Sequence, residues 1–219
     1  MSFWEIFLPE ILDGWVLSIK LLVPTIPLGV LLAIALAVAR VYGPKPLVLF
    51  AAGVVGLIRG LPLVVTLFII FFALPKLGIL FPSFWSAVLG FILCTGAYQS
   101  EYVRGAIQSI DVGQSLAAQS VGMRKGREVM NIILPQALRR ALPGISNEII
   151  YLILYSSLAG YIGVYEIFAV SRHFNSLHFR PIQIFLTAGL IYAAMATIAA
   201  VVFRLIENKF RIPGFEIVR

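Results

Sequence analysis

The chain has 219 residues, 60% of them hydrophobic and only 12% charged, with Lys and Arg outnumbering Asp and Glu by 17 to 10. So apolar a composition excludes an ordinary soluble domain and makes the lipid bilayer the default solvent. The basic excess is therefore read as charge flanking membrane spans, with no nucleic-acid partner, and the single cysteine, Cys94, excludes an intrachain disulfide and a cysteine-based metal cluster.

The opening run MSFWEIFLPEILDGW lacks a basic n-region and carries Glu5, Glu10 and Asp13, so it reads as a short amphipathic lead-in and not as a cleaved signal peptide. Crossing a hydrocarbon core of roughly 30 Å takes about 20 helical residues. Five stretches meet that requirement, at about 15–39, 46–74, 84–102, 143–165 and 182–203. Lys20 sits near one end of the first, where its stem can snorkel to the headgroups. The second contains Arg59, Gly60 and Pro62 and is expected to be kinked or only partly immersed. The fourth begins at Pro143, as in a first helical turn, and the fifth follows an outer loop carrying His173 and His178. The expected fold is an all-α integral membrane protein of about five transmembrane helices, forming a single domain over 1–219.

Basic residues set the orientation. With the N-terminus outside, Arg40, Lys45, Arg104, Arg124, Lys125, Arg127, Arg139, Arg140, Arg204, Lys209, Arg211 and Arg219 collect on the cytoplasmic side. Lys20, Lys76, Arg172 and Arg180 fall outside, and Arg59 is unassigned. The excess selects N-out and C-in, which places the segment 105–142 in the cytoplasm.

That segment contains VGQSLAAQSVGMRKGREVMNIILPQ at 112–136, far more chain than a turn needs. Gly113, Gly122 and Gly126 are expected to break it into a short element over 115–121 and a second over 127–142. In the second, Val129, Ile132, Ile133 and Ala137 follow helical spacing, with Arg139 and Arg140 beyond them. An apolar side and a basic side suit either a helix lying on anionic membrane lipid or one docked on a cytoplasmic partner, and periodicity leaves the two open.

Leu116, Ala117 and Ala118, then Gly122, then Ile132, Leu134 and Pro135 lie at the intervals of the consensus E-A-A, three residues, G, nine residues, I-x-L-P. The segment thereby resembles the cytoplasmic signature of permease subunits of bacterial and archaeal ABC importers, with Leu116 where the consensus has Glu. The resemblance implies a coupling helix, carried here by Gln114, Leu116, Ala117, Ala118, Gly122 and Met123, that seats in the ATPase subunit. RGLPL at 59–63, AYQSEYVRGAIQSI at 97–110, ILPQALRRALP at 133–143 and NEIIYLILYSSLAGYIGVYEI at 147–167 are similar to the polar amino acid permeases, the histidine, glutamine, arginine and opine group. The wording is nearest the histidine-type M subunit, which implies a heterodimer. Many relatives carry K-D-T-S-L where this chain has Leu154, Tyr155, Ser156, Ser157 and Leu158, so either this is the half that engages solute less or the solute differs. The resemblance further implies a cell inner membrane location, two ATP-binding cassette subunits that bind ATP and Mg, a second permease subunit (a paralogue or an identical copy), and an extracytoplasmic solute-binding protein. This chain would hold no cofactor of its own.

Candidate path residues are Arg59, Tyr98, Gln99, Glu101, Tyr155, Ser156 and Ser157. Several have a plainer reading: Glu101 as a helix-end pair with Arg104, the serines as close helix packing, Arg59 as a surface anchor. No G-x4-G-K-[ST] phosphate loop occurs, His173 and His178 make a poor zinc pair, and no nucleophilic constellation is recognisable, so the chain reads as non-catalytic. An intramembrane enzyme would require ionisable residues clustered at mid-depth, which the sequence nearly lacks. A permease for another small solute and a passive channel stay as alternatives.

Overall fold

The computed structural model describes residues 3–210, so Arg211 and Arg219, two of the charges assigned to the cytoplasmic side, lie outside the described residues. Among the described residues every element is helical.

Helix α1 (Phe3–Tyr42) runs unbroken for 40 residues, about 60 Å at the usual rise. The expected separate lead-in is instead its first turns. Pro9, Pro24 and Pro27 lie inside it without ending it, because packing along α4 (Ser83–Gln108) and, around Pro9, against the later helix Ile167–His178 holds the axis where a backbone donor is missing. The two helices approach closely at glycines. A Cβ on Gly29 would fall 2.6 Å from Thr95 Oγ1, and one on Gly96 would fall 2.7 Å from a Leu32 methyl. Small residues at such a crossing supply the contact that lipid, as apolar as leucine, cannot drive.

Helix α2 (Lys45–Gly60) buries only Ala51 and Val55. At Leu61 and Pro62 the axis turns by 107° into α3 (Leu63–Phe68), which continues through a π turn (Ile69–Ala73) and a 3-10 turn (Leu74–Leu77). Proline removes the helical donor and pushes its predecessor to extended backbone, as Leu61 shows with φ −102 and ψ 139.

Helix α4 is the central element, touching α1, α2, α3 and α7 (Leu134–Tyr155). Being enclosed by other helices, it need not present an apolar surface to lipid, and Ser86, Thr95, Gln99 and Ser100 are all buried along it. Among the described residues, length and composition alone accordingly mark three helical runs as able to cross a membrane, or four if the bent α2–α3 pair counts as one, and α4 is not among them.

After α4 come α5 (Val112–Ser120), α6 (Lys125–Glu128), a π turn (Val129–Ile133), α7, and a 3-10 stretch (Ser156–Ile162). Two expectations are corrected here. Pro143 lies inside α7, where Pro135 occupies the first turn. Of the three glycines expected to break the segment only Gly122 does, with φ +76, whereas Gly113 and Gly126 sit in the first turns of α5 and α6, where the backbone donors have no intrahelical partner anyway.

The expected outer loop is also a helix, α8 (Ile167–His178). Glu166 caps it, accepting hydrogen bonds from the Phe168 and Ala169 amides at 2.8 Å each. Val170 and Phe174 of α8 pack with Phe7 and Ile11 of α1 and with Ile184 of α9 (Pro181–Phe210). His173 stands against Tyr165 and Phe174, and His178 against Phe3 and Phe174, so both imidazoles serve an aromatic cluster. Helix α9 buries only Ile184 and Ala188 and exposes most of its apolar length.

Candidate functional site

The segment 105–142, expected to lie in the cytoplasm, is built around one short helix. Asp111 caps α5 by accepting the Gly113 amide at 2.6 Å, and the helix ends in a Schellman turn. The Gly122 amide donates to the Gln119 carbonyl at 2.9 Å and the Met123 amide to the Ala118 carbonyl at 3.1 Å. That pairing requires a left-handed residue between them, which Gly122 supplies. Of the α5 side chains only Ala118 is buried, at 2% exposure, while Leu116 is 59% exposed. Gln114, Ala117 and Gln119 are exposed too, and Met123 is half-buried. The signature residues thus divide into one that seats the helix on its own chain and several that face outward.

Glu128 anchors the inner side of α5. Its carboxylate is fully buried and accepts hydrogen bonds from Ser115 Oγ, from Lys125 Nζ at 2.6 Å and from Gln119 Nε2 at 3.4 Å. The Lys125 ammonium and the Ser115 hydroxyl hold its carboxyl below the ordinary carboxylate range. Lys125 Nζ also stands 5.3 Å from the centre of the Tyr42 ring, at the end of α1.

A second polar cluster lies where α1, α2 and α4 converge. Glu101 does pair with Arg104, at 2.7 and 2.9 Å, but Arg40 also reaches it at 2.5 Å and Arg59 at 3.3 Å. Arg59 stacks over the Tyr98 ring at 5.2 Å, and Tyr98 Oη donates to the Arg59 carbonyl at 3.3 Å. Three guanidinium groups on three helices therefore share one carboxylate, with Arg59 the most exposed of the three.

The other path candidates are not brought to this cluster. Gln99 is 1% exposed. Ser156 Oγ donates to the Ile153 carbonyl at 2.7 Å and Ser157 Oγ to the Leu154 carbonyl at 2.8 Å, so both hydroxyls turn back on their own helix where α7 tightens. Tyr155 is exposed and stacks on Tyr151, the ring centres 6.0 Å apart.

Sequence reasoning missed Arg40, Glu128 and Glu148. Glu148 lies on α7 at 8% exposure, within electrostatic range of Arg59, Tyr102 and Cys94. An acid beside the apolar stretch from Ile149 to Ile153 was the signal that could have found it. Nothing in the sequence pattern pairs Arg40 with Glu101 across 61 positions.

Comparison with known proteins places this arrangement. A family model described as the binding-protein-dependent transport system inner membrane component matches residues 25–212. The octopine transport system permease protein OccM of Rhizobium meliloti is 37% identical over 213 residues, covering 93% of this chain and 86% of that protein. The arginine transport system permease protein ArtQ of Bacillus subtilis is 31% identical over 205 residues, covering 93% and 94%. The crystal structure of an amino acid ABC transporter with histidines superposes with a TM-score of 0.84 at 28% identity, covering 95% of this chain and 99% of that one. The MetNI methionine ABC transporter, at 16% identity and a TM-score of 0.76, shares the fold. With the family model spanning most of its length, this chain belongs to the binding-protein-dependent transport system inner membrane components.

Proposed function

We propose that the chain forms half of the translocation pathway of an ATP-driven importer for polar amino acids. It is a non-catalytic, multi-pass permease subunit of the inner membrane in an amino acid ABC importer. The finer reading has five spans, near 15–39, 46–74, 84–102, 143–165 and 182–203, with the N-terminus outside, the C-terminus in the cytoplasm, and 105–142 as the coupling segment. In this reading the enclosed α4 is the third span despite its polar side chains, since its 26 residues are long enough to cross.

The single observation that carries the proposal is α5. A nine-residue helix with one buried side chain has no packing reason to stand where it does. Its outward face, with Gln114, Leu116 and Ala117, suits a socket on another subunit, and its Schellman turn fixes the angle at which α6 and α7 leave it. Two ATPase subunits, binding ATP and Mg, would move this helix, and α7 would carry the displacement into the membrane. A second permease subunit, a copy or a paralogue, would close the pathway, and an extracytoplasmic binding protein would deliver the solute. Arg59, Tyr98, Glu101, Tyr155 and the buried Glu148 are its expected polar contacts. Gln99, Ser156 and Ser157 would act through packing.

Reconstitution tests this. The chain, purified with the proteins that accompany it, should bring an ATPase. Proteoliposomes loaded with ATP should take up a labelled polar amino acid only when binding protein is present outside. Uptake by the chain alone, without nucleotide, would instead show a passive channel.

A further inference from the structure

We infer that Glu128 is a positioning residue of the coupling segment, a buried clasp that carries force between α5 and α7. The inference rests on the reading of α5 as the ATPase-facing helix. Three observations meet at this carboxylate. First, α5 makes little apolar contact with its own chain, Ala118 being its one buried side chain, so hydrophobic packing cannot make it move as one body with the rest. Second, Ser115 and Gln119, one helical turn apart on α5, both donate to Glu128, which lies on α6 immediately before the π turn that opens α7. Third, Lys125 neutralises the carboxylate at 2.6 Å and rests over Tyr42, adding the end of α1 to the joint.

The chemistry explains why the group is charged. A fully buried carboxylate is costly unless paired and hydrogen-bonded, and here every partner comes from the segment itself. Pulling α5 away from α6 would leave the Lys125 pair in place but take the Ser115 and Gln119 donors from an ionised acceptor, and hydrogen bonds to a charged group are stronger than neutral ones. The clasp also bears on Leu116, where the signature calls for an acid. The outward position is apolar, and the segment's buried acid is supplied from the inner side.

The test measures solute taken up per ATP hydrolysed by the complete importer in proteoliposomes, a ratio independent of how much complex assembles. Glu128→Gln is expected to lower this ratio roughly tenfold, as fits loss of one charge-assisted hydrogen-bond pair. The exchange Glu128→Lys with Lys125→Glu rebuilds the pair, because Ser115 and Gln119 can accept as well as donate, and should restore most of the ratio. An unchanged ratio in Glu128→Gln, or an assembled exchange variant as uncoupled as Glu128→Gln, would overturn the proposal. Should Glu128→Gln not assemble, Ser115→Ala with Gln119→Ala removes the α5 side of the clasp and leaves the charge pair. A lowered ratio there supports the clasp and an unchanged one rejects it. Cross-linking from position 116 to the ATPase, run on the same variants, separates the two ideas: if the cross-link persists while the ratio is unmoved, only the clasp fails.

Discussion

Two carboxylates, Glu101 and Glu128, each organise a polar region of the molecule, and they do so differently. Glu101 is partly exposed and gathers Arg40, Arg59 and Arg104 from three long helices. Glu128 is fully buried and takes one ammonium and two neutral donors from a short stretch of chain. The first carries an excess of positive charge and ties membrane helices to one another. The second is balanced and ties a surface helix to its neighbour. A shared charge among many partners resists the splaying of spans, whereas a closed pair makes a small element move with a large one.

Breaking the first cluster should have the largest global effect. Glu101→Ala leaves three arginines facing each other in a partly buried site and is expected to cost roughly 1–2 kcal/mol after solvent screening, read as thermal unfolding of the detergent-solubilised complex, with Arg40→Ala smaller because Glu101 keeps two cationic partners. Next comes the end of α5. Gly122→Val forces a β-branched residue to a φ of +76, at about 2 kcal/mol of local strain. ATP-driven uptake should fall while helical content by circular dichroism stays unchanged.

The pH response tests the Glu128 cluster more finely. Glu128 has its carboxyl held below the ordinary range in the folded state. The unfolded state therefore binds the proton first, and the stabilisation is present above the unfolded value and lost as pH falls through the lower, folded value. Hydrogen-exchange protection of the α5 amides, corrected for the intrinsic pH dependence of exchange, should hold at neutral and mildly acidic pH and fall only below the usual glutamate range, and this break should vanish in Glu128→Gln. The smallest effect is expected at Ser157, whose hydroxyl bonds its own helix carbonyl. Ser157→Ala should change uptake and stability by less than about 0.5 kcal/mol, and a large loss of uptake would return that hydroxyl to the solute path.

What could be read from the sequence followed from the range of the interactions involved. Long apolar runs declare helices by themselves, and Gly122 is legible because a left-handed turn admits few other residues. Gly113 and Gly126 mislead for the same reason, since glycine is also tolerated in a first turn, where no intrahelical donor is lost. Pro143 misleads because tertiary packing carries a helix through a proline that would end it in isolation. Helix α8 has the spacing of an amphipathic helix at Ile167, Val170 and Phe174, but it is too short to cross a membrane and so falls into the expected outer loop. The clusters were the least legible part. Glu128 meets Ser115 across 13 positions and Glu101 meets Arg40 across 61, and periodicity says nothing about pairs that only tertiary contact makes.

The central claim is that α5 is gripped by a nucleotide-driven subunit beneath the bilayer. A photoreactive residue at position 116, in the intact importer in its membrane, tests it most directly. The expected result is an adduct with the ATPase subunit whose yield changes when ATP is bound. Adducts with lipid alone, or labelling of position 116 by an impermeant reagent added outside the cell, would contradict it.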